Sequence, residues 1–197
     1  MDEVKISGTD DVTITLNRPR AINSLSGEML GAIGKVVKGS LRSIDLSGAG
    51  ERGYCSGADI RELRSVALED PEAAGDWLDA EYDVDAAIAE VHSGTAHLHG
   101  ISMGGGLGLA LRLKHVEARD DLVFAMPETG IGLWPDVGVC FELSRAPRLV
   151  GRHLAMTGAA IDAASALWAG LVDEVVDAGG DPADVDPVAC QLARDAV

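Results

Sequence analysis

Aromatic residues are scarce in this chain: two Phe, two Tyr and three Trp among 197 residues. Cysteine is as sparse. Cys55, Cys140 and Cys190 are odd in number, widely spaced, and form no CxxC pair. That argues against a disulfide framework and a zinc site and makes a reducing cytoplasm the default compartment. The five histidines show no HExxH pattern, so no metal is expected. No apolar run reaches the roughly 18 residues that a transmembrane helix needs. The amino terminus, MDEVKISGTDD, is acidic and lacks the apolar stretch of a secretory signal. Lysine is nearly absent. Four Lys and twelve Arg face twenty Asp and twelve Glu, a net charge of −16. A surface so acidic repels nucleic acid and anionic membrane, and neither is expected as a partner.

What is present suits one globular domain spanning 1–197. Hydrophobic residues make up 47%, enough for a core and too many for a disordered chain. VTITL (12–16) alternates and is β-branched, which predicts a strand. Ser26 to Lys38 carries apolar residues at helical spacing, with Ser26 as N-cap. Strands are predicted at 41–46, 95–101 and 123–125. Helices are predicted at 58–68, 71–91, 107–113, 138–145, 152–156, 162–169 and 185–196. Strands alternating with helices predict an α/β fold with parallel strands flanked by helices. Ligand sites in such sheets lie beyond the carboxyl ends of the strands. Asp45 and His97 fall inside segments predicted as buried central strands, where an unpaired charge is costly.

Three constellations could carry chemistry. GAGERG (48–53) matches GxGxxG, but Tyr54 to Gly57 intervene before the helix, and the segment some 20 residues on is helical, so it reads as a turn. CSGAD (55–59) and MGGGLG (103–108) are both strand-to-helix turns. Side by side they could aim two N–H donors at one oxygen, although close helix–sheet packing explains the glycines equally well. In MPETGIGLWPDVG (126–138), Glu128 and Asp136 stand among apolar, Gly and Pro residues. They read as a solvated glutamate and a capping aspartate, or as carboxyls whose raised pKa suits acid, base or nucleophilic work.

Together these segments resemble the crotonase, or enoyl-CoA hydratase/isomerase, superfamily. LNRPRAINSL (16–25), GYCSGADI (53–60), HGISMGGGLGLAL (99–111), FAMPETGIGLWPDVG (124–138) and AMTGAAIDAASALWAGLVDEVV (155–176) fall in the family's order and cover nearly the whole chain. The resemblance implies the ββα-repeat core of the ClpP/crotonase fold. Within the superfamily, HGISMGGGLG, FAMPETGIGLWPDVG and DAEYDVDAAIA (79–89) are similar to the 3-hydroxyisobutyryl-CoA hydrolase branch of valine degradation. The resemblance then implies roles. The peptide N–H groups of Ala58 and Gly105 would hold the thioester oxygen. Glu128 would be the base or nucleophile, and Asp136 would hold the substrate hydroxyl or the attacking water. Glu81 would contact substrate. Arg20, Ala21 and Ile22 would lie along the CoA nucleotide, with Ser56, Asp59 and Ile60 near the adenine. Coenzyme A would enter only as part of the acyl-CoA substrate, with no separate cofactor. Hydratases of the family carry a second glutamate where this chain has Gly108, so thioester hydrolysis is expected ahead of hydration or isomerisation. The hydrolase branch continues into a mainly helical region that closes the site and supports assembly. Most of it is absent before Val197, so a homo-oligomer remains possible and a non-catalytic CoA-binding homologue is the alternative.

Overall fold

The computed structural model describes residues 2–176. The predicted helix at 185–196 lies outside them. The strands are β1 Val4–Gly8, β2 Asp11–Leu16, β3 Ser43–Gly48, β4 Ser93–Leu98, β5 Ile101–Met103, β6 His115–Arg119, β7 Val123–Ala125 and β8 Glu174–Val176. The helices are α1 Gly27–Val37, α2 Ile60–Glu69, α3 Pro71–Ala89, α4 Gly105–Leu111, α5 Val139–Arg145, α6 Val150–Thr157 and α7 Ala163–Trp168. Short 3₁₀ helices span Pro19–Ala21 and Pro127–Ile131. Strands β1, β6 and β8 are not among the predicted elements. Each is three to five residues long, too short for a clear alternation.

Six strands form one sheet in the order β1-β2-β3-β4-β6-β8, and β5 pairs with β7 in a second. Only β1 and β2 run antiparallel; the other pairs are parallel. Val12, Ile14 and Leu16 of β2, Ile44 and Leu46 of β3, Ala96 and Leu98 of β4, and Val116 and Ala118 of β6 are buried and join the core. Helices α1 and α3 supply further core residues. Ser26 caps α1 by accepting the Met29 N–H (3.2 Å), and Met29, Leu30, Ile33 and Val37 then point inward. Gly34 brings α1 close to Val84 of α3. No helix among the described residues is long and apolar enough to cross a membrane.

Two expectations are corrected here. Asp45 and His97 are not buried unpaired charges. Parallel strands ordinarily have both faces covered, but here residues alternate, and Asp45, His97 and Glu117 share the polar face. His97 Nε2 lies 3.0 Å from Asp45 and Nδ1 lies 3.0 Å from Glu117. Burial pulls the imidazole pKa down, but the two carboxylates outweigh it and raise it above its ordinary value. The predicted strand at 95–101 is in fact two. The chain leaves the large sheet at His99 and Gly100, where the His99 carbonyl accepts the Tyr54 N–H (2.9 Å), and re-enters as β5 beside β7. That switch carries the glycine-rich turn away from the large sheet and sets it beside Gly57.

Candidate active site

Two turns meet first. Leu25 N–H donates to Gly57 O (2.9 Å) and Asp59 N–H donates to Leu25 O (2.8 Å). This parallel bridge uses the groups on either side of Ala58, so Ala58's own N–H points the opposite way. Gly105 opens α4, where the first N–H groups have no partner within the helix. The turns touch: a side chain at Gly57 would place its Cβ 3.4 Å from the Gly105 nitrogen. Neither the Ala58 nor the Gly105 N–H has a protein acceptor among the described residues. Both residues line one cleft, shared with Gly104, Glu81, Glu128 and Asp136.

Glu128 reaches this cleft from the 3₁₀ helix after β7. Its Oε1 sits where a side chain at position 104 would begin, 2.8 Å from that Cβ, and Gly104 has φ +53°. The backbone conformation favours glycine there, and its missing side chain leaves the space that the carboxylate occupies. Glu128 Oε2 is buried without a hydrogen-bond partner. Burial, offset by its own backbone N–H and reinforced by the Asp136 charge, lifts its carboxyl to about 7.

Helix α3 contributes the other wall. Glu81 is 2% exposed, and burial followed by the charges of Asp136 and Glu128 raises it to about 8. Asp85 follows one turn later on the same face. It is buried with both oxygens unpartnered. Burial and then Glu81 push it to about 9, against the pull of Arg112. The Tyr82 hydroxyl donates to Asp136 Oδ2 at 2.5 Å. Tyr82, Asp85 and the buried Val137 were not among the residues singled out from sequence. No periodicity marks Tyr82, and Asp85 shows only as the i+4 neighbour of Glu81.

Gly108 is filled from outside. A Cβ there would lie 2.6 Å from Val137 Cβ and 3.0 Å from Asp85 Oδ2. Val137 has φ +45°, a rare backbone for a β-branched residue. A second glutamate at position 108 therefore has no room in this arrangement.

The residues expected along coenzyme A also gather. Ser56 N–H donates to Ile22 O (2.8 Å), and Ser56 Oγ donates to Ala21 O (3.3 Å). This puts 20–22 and 56 on one rim, with Arg20 and Ala21 exposed. Asp59 is engaged within the protein: it caps α2 through Glu62 N–H (3.2 Å) and pairs with Arg18 (2.9 Å). Ile60 follows it, exposed, at the first turn of α2. Buried Asn23 holds the rim, its Nδ2 donating to the carbonyls of Ala49 (3.0 Å), Gly53 (3.2 Å) and Tyr54 (2.9 Å).

A family model described as enoyl-CoA hydratase/isomerase matches residues 12–186. The chain belongs to the enoyl-CoA hydratase/isomerase family. It is 36% identical over 172 residues to the mitochondrial 3-hydroxyisobutyryl-CoA hydrolase of Gallus gallus, covering 84% of this chain and 45% of that one. It is 35% identical over 180 residues to the small ribosomal subunit protein mS47 of Neurospora crassa, covering 87% and 35%. The chain thus spans less than half the length of these relatives. A carnitinyl-CoA dehydratase structure from Mycobacterium thermoresistibile superposes with a TM-score of 0.84 at 34% identity, covering 100% of this chain and 59% of that one. The crotonase-like α/β architecture expected from sequence is therefore shown, with a mostly parallel sheet and flanking helices.

Proposed function

We propose that this chain hydrolyses the thioester of a small β-hydroxyacyl-CoA, with 3-hydroxyisobutyryl-CoA as the first substrate to test. The observation that carries this reading is one cleft holding two unpartnered N–H groups, Ala58 and Gly105, beside Glu128, with the position 108 side chain replaced by packing. Thioester hydrolysis needs donors for the developing oxyanion and one placed carboxylate. Addition of water across a double bond by paired glutamates needs a second one. Glu128 attacks the thioester carbonyl or deprotonates the water that does. The carbonyl electrons move onto oxygen, where the Ala58 and Gly105 N–H groups hold them. Collapse breaks the C–S bond, and the CoA thiolate leaves and takes a proton, from protonated Glu128 on the base route and from water on the nucleophilic one. On the nucleophilic route a water then cleaves the acyl–Glu128 anhydride, releasing the acid and restoring the carboxylate. Asp136 orients the acyl hydroxyl or the water, and Glu81 lines the acyl side. Arg20, Ala21, Ile22, Ser56, Asp59 and Ile60 form the rim for the CoA moiety. No separate cofactor enters this scheme, and a homo-oligomer that closes the cleft is compatible with it. Cysteine usage supports a reducing compartment such as the cytoplasm, while several relatives are named mitochondrial.

The test is free-thiol release from 3-hydroxyisobutyryl-CoA. Glu128→Gln should lose roughly 10²–10⁴-fold, the usual contribution of a placed base. Because Glu128 acts as its carboxylate, release should rise as pH passes through about 7. A Glu128→Gln protein as fast as the unmodified one would sink the assignment. A second reading is a CoA-binding homologue without turnover; the likeness to a relative named as a ribosomal subunit protein favours the absence of turnover, not the CoA binding. Calorimetric binding of CoA with no thiol release from folded protein would favour it.

A further inference from the structure

Asp136 stands in a difficult place. It shares its surroundings with Glu81 and Asp85 from α3 and with Glu128 from the 3₁₀ helix; Asp79 of α3 adds a further negative charge near Tyr82. Arg112, at the carboxyl end of α4, is engaged with the Gly138 carbonyl (3.3 Å) and Glu142 (3.1 Å). No lysine or arginine among the described residues pairs with the Asp136 carboxylate, so its side chain depends on a neutral donor. In the loop before it Ile131, Leu133 and Trp134 are exposed, while Pro135 is buried. Yet the backbone beside Asp136 is held in a strained form, with Val137 at φ +45° buried against Gly108. Such strain persists only where the surroundings over-determine it. The side chain has one visible anchor: the Tyr82 hydroxyl, 2.5 Å from Oδ2. No other side chain donates to that carboxylate among the described residues.

We propose that Tyr82 is a positioning residue, whose hydroxyl donates to Asp136 and fixes the carboxylate that faces the cleft. This rests on the hydrolase reading for its consequence, and on the hydrogen bond alone for its geometry. A phenol suits the task. It is a neutral donor on a rigid ring, carried by a 19-residue helix. It therefore holds a carboxylate in place without neutralising the charge that a substrate hydroxyl or water must meet. Tyr82 acts through Asp136.

The experiment compares unmodified protein, Tyr82→Phe and Asp136→Asn. Tyr82→Phe keeps the ring and removes only the donor. Its kcat for thiol release should fall roughly tenfold with KM nearly unchanged, the scale of one hydrogen bond to a charged group. An unaltered kcat, or a loss that falls on KM instead, would overturn the proposal. A second readout needs no activity. The chain has two tyrosines, and Tyr54 is fully buried. Tyr82's phenol is held above its ordinary range by burial and by the Asp136 carboxylate. Ultraviolet titration of phenolate should therefore find Tyr82 ionising at lower pH in Asp136→Asn. An unmoved titration overturns the contact. If unmodified protein releases no thiol while the titration moves, the hydrolase reading fails and the Tyr82–Asp136 anchor stands.

Discussion

Replacing Asp85 by Asn is expected to stabilise the protein, and increasingly so as pH rises from about 4 toward about 9. Asp85 is 5% exposed, neither oxygen has a partner, and its carboxyl is raised from 3.8 to about 9. The folded protein therefore holds a proton that the unfolded chain releases near pH 4. Below that pH both states are protonated and the stability is fully present. Above it, stability is lost as pH rises, until the group ionises in the folded protein as well. At about 1.4 kcal/mol per pH unit, the loss at pH 7 is about 4 kcal/mol. Asn is nearly the same size and does not titrate. Its buried amide adds a cost that is the same at every pH, so it shifts the difference without tilting it. In a chain of this length about 1 kcal/mol moves Tm by roughly 2–4 °C. The Tm of Asp85→Asn minus that of the unmodified protein should thus climb by about 3–6 °C per pH unit between pH 5 and 8. Thermal melts across that range, followed by far-ultraviolet circular dichroism, read it directly. A difference that stays flat with pH, or falls, would refute the picture of a neutral carboxyl trapped behind Glu81.

Gly108→Ala should destabilise by about 1–3 kcal/mol, since the new methyl meets Val137 and the Asp85 carboxyl and must force one aside; an unchanged urea midpoint would contradict that packing. Asn23→Ala should cost about 2–4 kcal/mol, because three carbonyls lose their common donor and a left-handed position (φ +52°) loses a residue that tolerates it. Equal Tm values for Asn23→Ala and the unmodified protein would refute the rim's dependence on it.

The division between sequence and tertiary structure is visible in particular residues. Val12, Ile14 and Leu16 announced β2, and Ser26 announced the start of α1, because alternation and capping are local rules that neighbours in sequence satisfy. The Gly-rich turns and the Glu128 loop were legible as chemistry for the same reason, and motif order pointed to the family. Asp45 and His97 were misread because burial of a parallel strand depends on what covers each face, which no local pattern states. The β4–β5 break was hidden because the chain changes sheets at Gly100 without losing its strand-like composition. What the sequence by itself determined is the longer elements and the residue types of the cleft. Only the tertiary structure decided that Asp85 loses its solvent, that Val137 fills the space above Gly108, and that Tyr82 reaches Asp136 across 54 positions of sequence. Desolvation, packing and long-range hydrogen bonds are properties of neighbours in space, and the sequence names those neighbours only after it has folded.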